Sequence, residues 1–429
     1  MNHLLIVRLV FSIIWALLFF LLFHYSVFAL IGMFARKTFP RTDVLGRYGI
    51  IVSARNEESV IGALLDSIRA CRYPADKVTV FVIAHNCSDR TAAIARSKGA
   101  VVCEYNNPEE RTVGYAYRRL FDFIRTGYDL DTYDGFLIMN ADNLVTPDYL
   151  LRMNDAFQAN GRTAVVTSFR NTKNFGDNYM SALYGIFFIA CCRLEARGRT
   201  LLGCSTRVSG TGYLFPASLV KNGWPYVTLT EDWEFSADRI AQGTRIVYCD
   251  EAEFYDEQPT TIPVMLRQRL RWAKGHLIVF FTRFTELVRS IFRRRGLSAV
   301  DRFSCYDIAV SILPLGVIGV GLTLAFLTCL MIISPHYAVN SVTRVSLITQ
   351  LLRFWTVGFV ISYALTALNG LLVVLLERRR IRSVPLGKLI AAVLLWPFFV
   401  ALNIFLDTAA LFIRKLEWKV IPHGKAPQE

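Results

Sequence analysis

Two short stretches carry the side chains best suited to chemistry. Residues 229–235 read LTEDWEF and set Glu231 beside Asp232, while residues 268–272 read QRLRW and set Arg271 beside Trp272. A carboxylate next to an attacking hydroxyl is what general-base catalysis requires. An arginine presents a planar fork that matches phosphate or diphosphate, and a tryptophan face suits stacking on a sugar ring. The local alternatives are plain. TED would cap the helix EDWEFSADRIAQG with acids at its positive end, and QRLRW would be a solvated basic face. The stretches lie too far apart to meet on one local helix pair, so a folded domain must bring them together.

The elements that would position them are readable upstream. YGIIVSA, VTVFVIA and GFLIMNAD are short apolar runs, each ending in a polar turn: SARNEE (Ser53–Glu58), HNCSD from His85, and NADN (Asn140–Asn143). The first two are followed by helical patterns, NEESVIGALLDSIRACR and DRTAAIARSKG. Strand, turn and helix in repetition predict βαβ units and an α/β fold with a largely parallel sheet. In such sheets ligands bind at the carboxyl ends of the strands. Asp142 there would suit Mg2+ or Mn2+, which take oxygen ligands together with substrate phosphates. The alternatives are a simple turn aspartate at Asp142, and an N-cap with first-turn acids at SARNEE.

The rest of the composition points to a membrane. Of 429 residues, 53% are hydrophobic and the mean hydropathy is +0.37. Residues 4–34 are almost wholly apolar and, at about 1.5 Å per residue, long enough to cross a core of about 30 Å. Residues 308–334, 354–376 and 388–413 are three further candidate spans. The formal charge of +14 implies anionic partners, phosphorylated substrates or acidic lipid headgroups. Its basic residues bunch beside apolar runs (ARKTFPR, RRRG, ERRRIR), as juxtamembrane clusters do, which argues against nucleic acid. ARKTFPR puts the segment after the first span on the cytoplasmic side. ERRRIR and RKLEWK then conflict, because one crossing cannot place both inside; either the last segment is re-entrant or a span is miscounted. Nine cysteines without CxxC or metal spacing read as reduced thiols, and Cys191–Cys192 as apolar filler.

Taken in order, GTGYLF, GWPYVTLTEDWEF, YDEQPTT and RQRLRWAKG make residues 47–280 resemble the membrane-integrated, inverting family 2 glycosyltransferases. That group includes hyaluronan, chitin, cellulose and poly-N-acetylglucosamine synthases. The resemblance implies an α/β GT-A nucleotide-diphospho-sugar domain with flanking transmembrane and interfacial α-helices, a UDP-sugar donor, and Mg2+ or Mn2+. Carried over by motif, Ala54 and Glu57 would line the uracil pocket with His85 nearby, and Asp142 would hold the metal. Asp232 would be the general base with Glu231 beside it, and Arg271 would grip the diphosphate. Gln268 and Trp272 would form the acceptor subsite, with Gly210, Thr211 and Gly212 under the acceptor sugar. Three positions depart from the pattern: Asn140 stands for a metal-binding aspartate, His85 for a uracil-contacting aspartate, and Val113 for a donor-gripping lysine, with Arg111 as its substitute.

The expected organisation is an N-terminal transmembrane helix (1–36), a cytosolic catalytic domain (47–260), Q-x-x-R-W and amphipathic interface helices (261–302) and a C-terminal transmembrane region (303–429). HLIVFFTRFTELVRSIFRRRG reads as an interfacial helix on the cytoplasmic leaflet. The expected product is a β-linked polysaccharide of the glucose or N-acetylglucosamine class, extended at the cytosolic face of the cell membrane and passed through the multi-pass membrane region. Alternatives are single-sugar transfer to a lipid acceptor and a silent binding or scaffold subunit. Four spans are few for a pore within one copy, which leaves room for a homo-oligomer or an export partner.

Overall fold

The computed structural model describes residues 3–337, 341–381 and 384–413; the run RKLEWK lies outside them. Eight strands form one sheet: β1 Tyr48–Ala54, β2 Val78–His85, β3 Val101–Tyr105, β4 Gly135–Asn140, β5 Leu144–Val145, β6 Val165–Thr172, β7 Tyr213–Pro216 and β8 Ile246–Asp256. Their order is β3-β2-β1-β4-β7-β6-β8-β5. The first four named in that order run parallel, β7 is antiparallel to both neighbours, and β6 and β8 are parallel.

Helices follow in chain order as α1 His3–Phe34, α2 Ile61–Arg69, α3 Thr91–Ser97, α4 Val113–Gly127, α5 Tyr149–Ala159, α6 Tyr179–Ala190 and α7 Arg197–Leu201. Beyond them lie α8 Glu231–Ala241, α9 Ile262–Arg293, α10 Ala299–Ser311, α11 Leu315–Tyr337, α12 Ser341–Leu376 and α13 Leu386–Phe412. Apolar side chains of α2, α3 and α5 cover one face of the sheet and those of α4, α8, α9 and α10 the other. Covered on both sides, β1 needs no alternation, which is why YGIIVSA reads as a continuous apolar run. Ser53 of β1 pairs with Asn140 of β4, and Ala54 with Ala84 of β2. This register sets the three polar turns side by side at one edge of the domain.

Among the described residues, four stretches are single helical runs long and apolar enough to cross a membrane: Leu5–Phe34, Tyr179–Leu201, Trp355–Leu376 and Leu386–Phe412. The second was expected inside the soluble domain, and 61% of its most apolar window is buried within the protein. It runs from α6 through a π-helical turn, Cys191–Ala196, into α7. α1 crosses it at backbone contact: a Cβ on Gly198 would lie 2.2 Å from the Phe28 carbonyl oxygen, and one on Gly32 the same distance from that of Arg193. Cys191, read as filler, sits on this turn and reaches the central cleft.

The span expected at 308–334 is not one straight helix. α10 and α11 meet at 59°, with Pro314 just before α11, where its missing N–H costs nothing. Cys305, Ile308, Ala309 and Ile312 belong to the core under the sheet, so the division expected after residue 302 falls inside a helix that packs on the sheet. The interfacial helix expected from residue 276 is the second half of α9, a single 32-residue helix that packs on α8, α10 and α13.

α13 is fastened to the catalytic domain along its whole length. Lys388 donates to the Gly176 carbonyl at 2.6 Å, Arg269 to the Phe399 carbonyl at 2.8 Å, and Lys274 to the Ala410 carbonyl at 3.2 Å. Its other side exposes Leu386, Ile390, Leu394, Phe398 and Phe405.

Buried ion pairs join the sheet to these helices. Asp250 of β8, 1% exposed, accepts from Arg197 Nε at 2.6 Å and from Arg380 at 3.2 Å. Glu377, at the foot of α12, accepts from Arg197 at 2.8 Å and also pairs with Arg193. Two of the charges of ERRRIR are therefore inside the protein rather than at lipid headgroups.

Candidate active site

α8 begins at Glu231, so TED forms its first turn, where acids meet the positive end of the helix. Phe235 and Ile240 of α8 are buried under the sheet, about 1.5–3 kcal/mol each, which fixes the helix while its first turn faces a cleft. α9 passes close against that turn because Gly275 has no side chain. A Cβ there would lie 2.4 Å from Thr230 Cγ2. One helical turn earlier, Arg271 Nη1 donates to the Leu229 carbonyl at 2.8 Å. The two distant sequence stretches are thereby joined.

We expect Gly275→Ala to push Thr230 and the TED turn off α9 and to lower kcat at least about tenfold, the scale on which misplacement acts. The melting temperature should change little; unchanged kcat would show that this approach does not position the carboxylates.

The cleft has a volume of about 260 Å3 and gathers Glu57, His85, Asp142, Gly210, Glu231, Asp232, Gln268, Arg271 and Trp272 on its walls. Ala54 is buried behind it, where its carbonyl accepts from Cys87 Sγ. Thr211 and Gly212 also stand behind the wall. The Thr211 hydroxyl donates to Asn143 Oδ1 at 2.5 Å and accepts from Asn140 N at 2.9 Å, holding the NADN turn. A Cβ on Gly212 would strike the Phe254 ring at 2.2 Å. Gly210, of positive φ, leaves the space in front of Asp232: a Cβ there would sit 3.9 Å from Asp232 Oδ2.

Burial and the charge of Asp232 push the Glu231 carboxyl up, against the pull of Arg271; burial likewise pushes Asp232 up. Burial lowers Arg271, offset by these two carboxylates. At the other end, burial with Asp142 and Glu257 pushes Glu57 up to about 9. Burial lowers His85, which stacks at 5.8 Å on Tyr105 and pairs with the Asn86 amide at 3.1 Å.

The metal expected at Asp142 can be tested against its donors. Asp142 is 8% exposed, accepts from Asn143 Nδ2 at 3.1 Å and from the Glu257 N–H at 3.2 Å. Among the described residues, no three His, Cys, Asp or Glu side chains form a metal cluster. One carboxylate and the Asn140 amide nevertheless fit Mg2+ or Mn2+, which take one or two protein carboxylates plus substrate phosphates. Glu57, Asp142 and Glu257 crowd together there with Lys173 paired to Glu257 at 2.8 Å, and such a cation would ease the mutual repulsion of the carboxyl groups.

Several cleft residues were not anticipated. Arg170, from the middle of β6, donates to Asp256 Oδ2 at 2.6 Å and to the Ser209 carbonyl at 3.0 Å, and lies 3.5 Å over Phe188. Arg207 covers Trp233 at 4.7 Å and pairs with Glu195 at 2.5 Å. His276 packs at 4.3 Å on the same indole, and burial lowers it to about 3. A single charge in the strand VVTSFRNT was the one sequence signal for Arg170; for His276 it was its position four residues after Trp272.

Comparison with known proteins agrees with this geometry. Residues 46–275 match the family described as glycosyltransferase like family 2. The chain is 26% identical over 303 residues, 65% of its length and 68% of the relative's, to a probable glycosyltransferase, YdaM, of Bacillus subtilis. It is 24% identical over 242 residues to the poly-beta-1,6-N-acetyl-D-glucosamine synthase of Staphylococcus aureus, covering 56% of this chain and 57% of that one. The chain thus spans little more than half of that synthase. In three dimensions it is similar to the mannosyltransferase PcManGT of Pyrobaculum calidifontis, solved with GDP-Man and Mn2+: TM-score 0.54, 16% identity, 92% of this chain and 99% of the other. This likeness extends the GT-A fold to the whole domain. With more than half of its length matched and a cleft of this composition at the strand ends, the chain belongs to glycosyltransferase family 2.

Proposed function

We propose that the protein is a membrane-bound, inverting glycosyltransferase that takes a UDP-sugar of the glucose or N-acetylglucosamine class. It builds a β-linked polysaccharide at the cytosolic face and passes the product across the membrane as it grows. The observation that carries this reading is the meeting of Asp232, Arg271 and Trp272 in one cleft. The acceptor oxygen attacks the anomeric carbon while its proton passes to an Asp232 carboxylate oxygen. The bond from that carbon to the donor phosphate breaks, and its electron pair leaves with UDP. An α-linked donor so displaced gives a β-linkage.

Arg271 lies at the phosphates, where it offsets the charge that develops on the leaving group. Trp272 and Gln268 form the floor for the acceptor, and Gly210 keeps its approach open. Glu57 and His85 flank the uracil, with Ala54 shaping its pocket from behind and Thr211 and Gly212 backing the acceptor site. Asp142 would hold Mg2+ or Mn2+, which would offset the negative charge of the diphosphate.

In the membrane, α1, α11 and α12 cross, and α13 lies against the catalytic domain with its apolar side in the lipid. That arrangement returns the chain to the cytoplasmic side at residues 377–380, as the basic residues there require. The small number of crossings favours a second reading, transfer of one sugar to a lipid acceptor.

The deciding experiment is UDP release by the full-length protein in detergent, with Mn2+ or Mg2+, over a panel of UDP-sugars. One active donor with a polymeric product supports the first reading, and one active donor with a single-sugar lipid product the second. No release with any donor rejects both.

The pH profile offers an independent check. The base works only deprotonated, and burial raises it, so kcat/KM should rise with pH along an acid limb above about 3.9, the ordinary aspartate value. The limb belongs to the Glu231–Asp232 pair rather than to either group. A limb at or below that value would remove Asp232 from this role.

A further inference from the structure

Behind Trp272 lies a second cavity, of about 130 Å3, between α9 and α13. Phe187, Trp272 and His276 line both spaces, so the indole stands between them. The remaining polar lining is Arg269, Asn403 and Asp407. Arg269 also ties α13 down through the Phe399 carbonyl, and none of the three has a part in the transfer described above.

Arg269 is 3% exposed. Its Nη2 donates to the Phe399 carbonyl at 2.8 Å and to Asn403 Oδ1 at 2.6 Å, and its guanidinium lies 3.9 Å over the Phe399 ring. Its Nη1 has no hydrogen-bond partner among the described residues. Arginine cannot shed its charge, and a buried donor left unmade is costly; such a group is explained when a ligand supplies the acceptor. Asp407 makes no hydrogen bond among the described residues, and its carboxylate acts on Arg269 only through space.

Resting on the transferase reading above, we propose that this cavity is a second acceptor subsite. It takes the pyranose next to the sugar that reacts at Asp232. Sugar hydroxyls both donate and accept, and here they meet a guanidinium donor, a carboxylate acceptor and an amide that does either. Phe187, Phe399 and Trp272 supply apolar walls for the C–H faces of a ring. The volume is roughly ten times the 10–15 Å3 that one water needs, which is room for a sugar unit. An anionic phosphate fits less well, because the Asp407 carboxylate lines the same cavity and would face the phosphate directly. The subsite therefore selects an acceptor that is already a glycan.

The test uses the full-length Asp232→Asn protein in nanodiscs with UDP present, so that binding is read without turnover. The probes are N-acetylglucosamine, glucose, their β-1,4- and β-1,6-linked disaccharides, and a short polyprenyl phosphate. At least one disaccharide should bind about tenfold more tightly than its monosaccharide, equivalent to ~1.4 kcal/mol. Adding Asp407→Leu, or the milder Asn403→Ser should the first fail to fold, should reduce that ratio to less than about threefold. Equal binding of one and two units overturns the proposal, as does a ratio that persists in the folded variants. Polyprenyl phosphate binding here in place of the disaccharides also overturns it, in favour of a lipid headgroup. If no donor releases UDP from the parent protein yet the two-unit gain is present and lost in the variants, the subsite stands and the transferase reading falls.

Discussion

Asparagine in place of Asp232 is expected to lower kcat by about 10²–10⁴-fold, the usual contribution of a positioned general base, with donor binding largely kept. The amide preserves shape and cannot take the proton. Because Asp232 is held by its backbone, whose carbonyl accepts from the Ser236 hydroxyl at 2.8 Å, the substitution should leave the turn intact. UDP release and donor binding, measured on the same preparation, separate the two effects. Loss of binding in step with rate would make Asp232 a structural residue. A rate within about threefold of the parent would place the base elsewhere, with Glu231 the next carboxylate in the cleft.

The second large effect concerns stability. Asp250→Ala leaves Arg197 and Arg380, in a buried setting, with Glu377 as the carboxylate they still share. Although burial pushes Asp250 up, Arg380 and Arg197 pull it below the ordinary aspartate range, so it is charged at neutral pH. Removing one member of a buried ionic cluster costs about 3–5 kcal/mol. For a domain of this size that is a drop of roughly 6–20 °C in melting temperature, measurable in detergent. A drop under about 2 °C would mean that the cluster is hydrated rather than sealed.

Much of the catalytic sheet was legible because its strands announce themselves locally. β1 coincides with YGIIVSA, and the ends of β1, β2 and β4 carry Glu57, His85 and Asp142 of the cleft residues chosen by motif. Helix α2 starts at Ile61, later than its sequence pattern, because residues 55–60 are held by long-range bonds. Asn56 takes a positive φ and accepts from Ser88 N at 2.8 Å, and Glu57 N donates to Thr91 at 2.9 Å. Propensity cannot display such ties. Hydropathy likewise could not show that the apolar faces of α6 and α13 are partly spent on the protein itself. Arg170 and Arg269 were passed over for a related reason. Their partners, Asp256 and Asn403, lie far along the chain.

The cluster around Asp250 also bears on how such enzymes can be recombined. Strand β8 ends at Asp256 in the catalytic cleft, while its Asp250 is neutralised by side chains on α7 and at the end of α12. The hydrophobic half of the molecule is thus no interchangeable cassette. A chimera that borrows membrane helices from a relative must also borrow a counter-ion for this strand, or the graft will misfold at the seam before donor preference can be compared.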